Sequence, residues 1–487
     1  MKFRLLLQIM FITLSVLCFK MAKCDENQQK SFQYFDSLTY QQYLSGNWND
    51  LIYSGKQALS LGYDYKYMRL RIGFAYFYKE NYRNAAVQFQ KALQFDSFDS
   101  TAALYYNLSC KGAGRVSETF QQKGGAKTYR FLDYIYADAG LMFPGNVNDS
   151  AALTDSTAFY KELINPVSRS FQSIGINLCP LPNLSVFMSF SKIALTDKKS
   201  FGYLSQDAVR DTIVGLQYEN DYYYSFPIKP NYTEQEFSNQ QLSYYLGITY
   251  FPVAGLKITP SVHYLHVRAK RVFAEQTITA KTDTAWYNKF DNTWHTFNYN
   301  VYDYNITTTD TSYFDHVLSL SIAKDLGKFS FELRGSHSRI LEEKISQIGA
   351  SISWYPKGNT NFYTASSFTY LNDQTTTSKV FEQTIGGRFY ENGWIEGFAM
   401  LGELKNYNEK NAYIVYNLIY PVSMRLGATI YPYIGQHLEL MLMYRYQKMG
   451  LFLTTVSPTQ STTETTTTVT NPDCNYSSVT AGVKWRF

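Results

Sequence analysis

Beyond residue 124 the chain alternates apolar and polar side chains with a period of two, and no run of about twenty apolar residues appears after residue 20. The pattern recurs in LPNLSVFMSF, QLSYYLGITYF, LKITPSVHYL, HVLSLSIAKDL, FSFELRGS, ISQIGASISWY and HLELMLMYRY. In the last of these, Leu438, Leu440, Leu442 and Tyr444 share one face of a strand, while Glu439, Met441, Met443 and Arg445 share the other. Such a chain cannot cross a membrane as helices. It must form strands that show an apolar face to one environment and a mixed face to another.

A soluble sandwich also alternates, so the connections decide. Short links fall at LPN (181–183), PVAG (252–255), DLGK (325–328), YPKGN (355–359), ENG (391–393) and YIGQ (433–436). Long polar stretches lie between them, at about 140–165, 198–236, 272–309 and 454–473, and three further links near 341, 374 and 408 are brief. Alternating short and long links belong to a transmembrane barrel with tight turns on one side and loops on the other. Counted from Tyr129 there are fourteen strands, an even number that returns the C-terminus to the side on which the barrel starts. Twelve or sixteen stay open, because 198–236 has room for a hairpin.

Composition agrees. Charged residues are 17%, below the roughly 25% of soluble domains, and aromatics are also 17%. Mean hydropathy is nevertheless −0.29, as expected where only every second residue meets lipid. The net charge of +5 is spread without a basic block, which argues against nucleic acid as a partner.

The first 24 residues read as a secretory signal peptide: Lys2 and Arg4, an apolar stretch from Leu5 to Phe19, then small residues near Ala22. Cys24 follows Lys23, which departs from the Gly or Ala that precedes a lipid-modified cysteine. Residues 25–123 read as helical. The segment KYMRLRIGFAYFYKENYRNAAVQFQKALQFDS (66–97) sets Ile72, Gly73, Tyr76, Tyr82, Ala85, Phe89 and Ala92 at spacings that resemble the tetratricopeptide repeat. One 34-residue period earlier, Trp48, Leu51 and Ala58 underlie Tyr82, Ala85 and Ala92. A third unit begins at STAALYYNLSC and breaks at GAGR (112–115), as a capping unit would. The resemblance implies a domain that docks a periplasmic protein partner.

The last strand, NYSSVTAGVKWRF, puts Val479, Ala481, Val483, Trp485 and Phe487 on one face, against Ser478, Thr480, Gly482, Lys484 and Arg486. It resembles the C-terminal signal, here Val483, Trp485 and Phe487, by which bacterial outer-membrane proteins reach the barrel-assembly machinery. That resemblance implies outer-membrane lipid around the barrel and a periplasmic helical domain.

No catalytic site emerges. There is no GxSxG; His263 and His266 are three apart on a strand and so face opposite ways; no carboxylate is spaced to orient His337. No metal site or cofactor is expected. Cys110, Cys179 and Cys474 are too scattered for zinc, although Cys110 and Cys179 could meet in a disulfide between domains. Interior-facing candidates are Lys257, Thr259, Ser261, Glu332, Arg334, Glu439, Arg445, Lys484 and Arg486, and the Thr-rich segment 457–475 reads as a solvated external loop.

The sequence therefore implies a helical tetratricopeptide-like domain (25–123) followed by an antiparallel transmembrane β-barrel of about fourteen strands (124–487). The arrangement is similar to the repeat-linked porins that export polymer. Its expected role is a channel or export porin. The rival roles are a non-conducting scaffold for a secretion, motility or envelope complex and, third, a barrel enzyme.

Overall fold

The structure is a computed structural model that describes residues 31–115 and most of 131–487; residues 1–30, 116–130, 146–159 and shorter stretches including 214–220, 416–421 and 459–464 lie outside it. The expected signal peptide and the expected boundary near residue 124 fall on those segments.

Five helices come first: α1 (Phe32–Leu44), α2 (Trp48–Ser60), α3 (Lys66–Tyr78), α4 (Tyr82–Phe95) and α5 (Ser100–Gly112). Side-chain oxygens start three of them. Ser31 accepts from Tyr34 N–H, Asn81 from Asn84 N–H and Asp99 from Ala102 N–H. Close approach needs small residues at the crossings: a methyl on Gly73 would stand 2.8 Å from the Phe89 ring. Ala58, Ala85, Phe89 and Ala92 are fully buried, Tyr76 nearly so, and Trp48 packs at the edge of the same core, stacked on Tyr78. Tyr82 lies over Gly112. None of these helices is long and apolar enough to cross a membrane.

The barrel follows, with strands β1 (Leu132–Pro144), β2 (Tyr160–Leu181), β3 (Leu184–Gln206), β4 (Ile228–Tyr250), β5 (Leu256–Asn288), β6 (Thr293–Leu326), β7 (Phe329–Ile340), β8 (Glu343–Trp354), β9 (Phe362–Asn372), β10 (Thr377–Tyr390), β11 (Gly393–Gly402), β12 (Val422–Ile434), β13 (Leu438–Gly450) and β14 (Asp473–Arg486). Each pairs antiparallel with its neighbours. The ring closes where β1 pairs with both β2 and β14, in register Ile135 with Trp485 and Ala139 with Ala481. Fourteen strands thus form a closed barrel with no free edge at the β1–β14 junction.

The exterior is apolar. Val483, Trp485 and Phe487 are each at least 40% exposed, as are Phe329, Phe331 and Leu333 from β7 and Leu442 and Tyr444 from β13. Inward neighbours such as Glu439, Ser261 and Thr429 are buried. The six short links each join strands that pair with one another. The long ones differ from expectation. Most of 272–309 is a continuous hairpin, with β5 and β6 paired out to Asn288–Thr293. Much of 198–236 is likewise strand, as β3 and β4 pair out to Gln206–Ile228. These Thr- and Tyr-rich stretches are polar, yet β-branched and aromatic residues favour extended backbone. Part of the Thr-rich segment is also not a loop: Leu453–Pro458 and Thr465–Thr470 form a hairpin that continues the wall beside β2. The link near 408 is no brief external turn, because it folds into the barrel.

Candidate functional site

The segment from 403 to 415 leaves the wall between β11 and β12 and runs across the lumen. Gln347 on β8 grips its backbone twice: Nε2 donates to the Asn408 carbonyl (2.7 Å), and Asn408 N–H donates to Oε1 (3.0 Å). Asn408 Nδ2 also donates to Ser336 on β7 (3.2 Å). Further along, the Asn411 carbonyl accepts from Ser261 on β5 (2.6 Å) and Tyr245 on β4 (3.3 Å). His263 Nδ1 donates to the Ala412 carbonyl (2.7 Å). The Tyr413 hydroxyl bonds that of Tyr136 on β1, and its ring packs edge-on to Phe187 and Tyr245. In a ring of fourteen, β4 and β5 stand opposite β11 and β12. The segment therefore spans the full width of the barrel.

Its backbone is held in an unfavourable shape. Asn406, Lys410, Asn411 and Ala412 all have φ between 51° and 64°. Asparagine tolerates this left-handed region; for Lys410 and Ala412 it costs about 1–2 kcal/mol each. A two-residue ladder, Asn408–Glu409 with Ile414–Val415, is all the sheet the segment makes.

Around it an apolar cluster is interleaved with buried polar groups such as Thr369, Glu409 and Arg425. Leu404, Tyr407, Ala412 and Val415 from the segment pack against Leu163, Leu265, Val317, Ile340, Ile345, Leu371, Val380, Met400, Met449 and Tyr476 from the wall. These wall positions face inward, since Leu318, Phe381, Leu401 and Tyr370 beside them are exposed. The result is an apolar cluster inside the barrel, toward the end that carries the long links, with the crossing segment packed into it.

The short-turn half of the interior is polar. Glu439 accepts from Lys484 (2.8 Å) and Arg486 (3.3 Å), and both cations lie over the Tyr134 ring. Glu396 accepts from Tyr431 (3.3 Å) and Tyr363. Arg334 donates to Ser367, Glu332 accepts from Ser351 (3.4 Å), and Thr259 bonds Thr249 (3.1 Å). Arg445 Nη2 lies 3.5 Å from Met443 Sδ. Among the residues singled out from sequence, Glu439, Lys484 and Arg486 therefore come together, whereas Arg334 and Glu332 serve separate neighbours. Arg425 was not singled out; it is the largest fully buried side chain and stands between Gln447 (3.2 Å) and Glu409 of the crossing segment (4.0 Å).

The helical domain sits on the short-turn end. Arg83 of α4 pairs with Asp325 (2.5 Å), donates to the Gly327 carbonyl (3.0 Å) and covers the Tyr355 ring at 4.1 Å. Its own N–H donates to Gly358 (2.9 Å), and Asn359 donates to the Glu80 carbonyl (3.2 Å). The chain turns at Gly114 (φ +72°) so that Arg115 reaches the same Asp325 (3.3 Å). The GAGR break thus ends α5 and ties it to the barrel. Lys257 adds its charge near Asp325.

His266 is on the exterior, stacked on Phe314, while His263 is inside. His337 bonds Ser346 on the exposed face (3.1 Å). No group of three or more His, Cys, Asp or Glu that could hold a metal occurs among the described residues. Cys110 and Cys179 are buried, and no disulfide joins them.

No protein-family profile and no curated protein matches this sequence. Solved structures it is similar to include the translocator domain of autotransporter NalP from Neisseria meningitidis, at 10% identity over 80% of this chain and 99% of that one with a TM-score of 0.29. A Pseudomonas aeruginosa FadL homologue follows at 6% identity, 73% and 90% coverage and a TM-score of 0.37. The outer-membrane protease OmpT of Escherichia coli stands at 9% identity, 74% and 99% coverage and 0.21. At such scores the likenesses carry nothing about function. The class rests on the molecule's own geometry: a closed antiparallel barrel, apolar outside, of the kind found in Gram-negative outer membranes.

Proposed function

We propose that this chain is an outer-membrane conduit that is shut at rest by its own lumen segment and that presents its helical domain to the periplasm, where it docks a partner protein. The observation that carries this reading is the crossing segment. It is fixed by scattered side-chain hydrogen bonds from several strands rather than by a ladder to the wall, and it stores strain at Lys410 and Ala412. Burial of Leu404 and Val415 opposes release by roughly 1.5–3 kcal/mol per side chain. Strain offsets part of that. A balance of this size suits a gate.

The helices supply the other half. Their small-residue crossings and the tetratricopeptide-like spacing of Trp48, Tyr82, Ala85 and Ala92 support a docking role, and exposed Tyr40, Tyr53, Tyr67 and Phe98 leave aromatic surface for a partner.

The second reading, a non-conducting scaffold, is favoured by the Arg83–Asp325–Arg115 cluster, which fixes the helices over the turns. Planar-bilayer conductance separates the two. The whole barrel should give rare openings, and deletion of residues 404–415 should give long-lived ones. A deletion variant that assembles and stays silent would leave the scaffold reading. No described constellation supports an enzyme.

A further inference from the structure

The barrel wall is split on one side. β4 and β5 pair from Tyr250–Ile258 up to Gln240–Arg268 and no further. Beyond that point β4 stays with β3 as far as Ile228, while β5 stays with β6 as far as Asn288. Two strand edges, 228–239 and 269–288, therefore run on without pairing to each other. The cause is the β5–β6 hairpin, which bends over the barrel mouth: Tyr302 pairs with Gln206 at the far tip of β3, and Tyr304 packs on Tyr160 and Tyr203.

The split is finished by side chains. The Lys270 N–H, which would otherwise continue the ladder, donates to Asn239 Oδ1 (2.9 Å). The Val272 carbonyl accepts from the Lys199 ammonium, reaching from β3 (2.9 Å). Satisfying edge groups with polar side chains is how native sheets keep an edge from pairing. The gap is a built feature.

Behind it lies a cavity of about 350 Å³, large enough for a small ligand. Leu195, Phe237, Val267 and Val272 give it apolar walls. Arg169, Lys199, Lys270 and Arg271 line it as well, against a single acid, Asp197. Asp197 is occupied by Arg169 at 3.7 Å, and Lys199 is shared with Glu162 (2.8 Å), so positive charge is left over at Arg271, whose own partner is the neutral Tyr313, while Lys270 adds its charge from the other face of the strand. Below the gap, Tyr244 and Tyr264 are exposed on the exterior four residues from Gln240 and Arg268. Aromatic residues in such positions mark the membrane boundary. The gap thus opens at the level of lipid headgroups.

We propose that this cavity binds an amphiphile with one anionic head and a short apolar body, admitted sideways between β4 and β5. The cationic rim takes the carboxylate or phosphate and the apolar wall takes the chain. The site is separate from the crossing segment, so it stands whether or not the barrel conducts.

The test uses the full chain in uncharged detergent, titrated calorimetrically with decanoate and with decanol. Decanoate should bind at least tenfold more tightly than decanol. Ala269→Trp, which fills the gap, should abolish the difference. Arg271→Met should weaken decanoate tenfold and leave decanol unchanged; it is exposed and spares Lys199, so assembly, read from heat-modifiable gel mobility, should be kept. In nanodiscs of phosphatidylcholine, adding phosphatidylglycerol should displace decanoate if the natural source is a bilayer headgroup, and should leave it bound if the source is a dissolved carboxylate. Equal binding of decanoate and decanol to the unaltered protein, or undiminished decanoate binding by assembled Ala269→Trp, overturns the proposal.

Discussion

Replacing Gln347 by leucine tests the gate most directly. Leucine is of comparable volume, the Gln347 side chain is buried inside the barrel, and its two hydrogen bonds to Asn408 both go to backbone. Leucine leaves one N–H and one carbonyl unsatisfied in the apolar layer, at roughly 1–2 kcal/mol each after relaxation. The released form should therefore gain about 2–4 kcal/mol relative to the closed one, which is ~30-fold to nearly a thousandfold in population at 1.36 kcal/mol per decade. Barrel pairing should not change, because the β7–β8 and β8–β9 ladders use the main chain of residue 347, not its side chain. Conductance in planar bilayers gives the readout: open probability should rise by at least tenfold with unitary conductance unchanged. If assembled Gln347→Leu shows the open probability of the unaltered barrel, the segment is not the barrier.

Other outcomes follow from the same contacts. Arg83→Met removes one member of a buried ion pair, a loss of about 3–5 kcal/mol reduced by the remaining Arg115; amide exchange at 80–84 and 325–329 should quicken together, and exchange that stays slow would refute the docking contact. Removing Trp485–Phe487 deletes the stack on His437 and the Phe487 N–H bond to Asp133; heat-modifiable barrel in the membrane should fall several-fold, and normal levels would refute the role given to the last strand. The Asp64 carboxyl is held low by its hydrogen bond from Arg69, and Asp36 by that from Tyr65. A depressed carboxyl stabilises the folded form above its unfolded pKa and loses that effect as pH falls through the folded value. Protection of the helices should therefore be flat near neutrality and decline only below pH 3.8; a decline already at pH 6 would contradict the assignment.

Much of the barrel was legible because its signals are local. Turns need Pro, Gly and Asn at fixed places, and the faces of β7, β13 and β14 follow from period two alone. Fourteen strands was one of three counts that the links allowed, and the pairing of β1 with β14 settles it. The long hairpin was misread because Thr in ITTTDT is polar in water but β-branched in the chain, and backbone preference outweighed polarity. The crossing segment was hidden for a different reason. GELKNYNEKN resembles any polar link, and what pulls it inward are Gln347, Ser261, His263 and Tyr136, all far away in sequence. A trace did exist: Ile340, Ile345, Leu371 and Val380 are apolar on the face that should be wet, which is the mark of a filled interior.

Where residues 403–415 lie also constrains how the molecule is made. They are enclosed by a ring completed only when β14 joins β1, after residues 403–415 have already been made. A finished cylinder offers them no easy way in, so they must be tucked inside while the ring is still an open, curling ribbon. Insertion into the membrane and sealing of the pore would then be a single event, and the newborn protein would never breach the bilayer it enters.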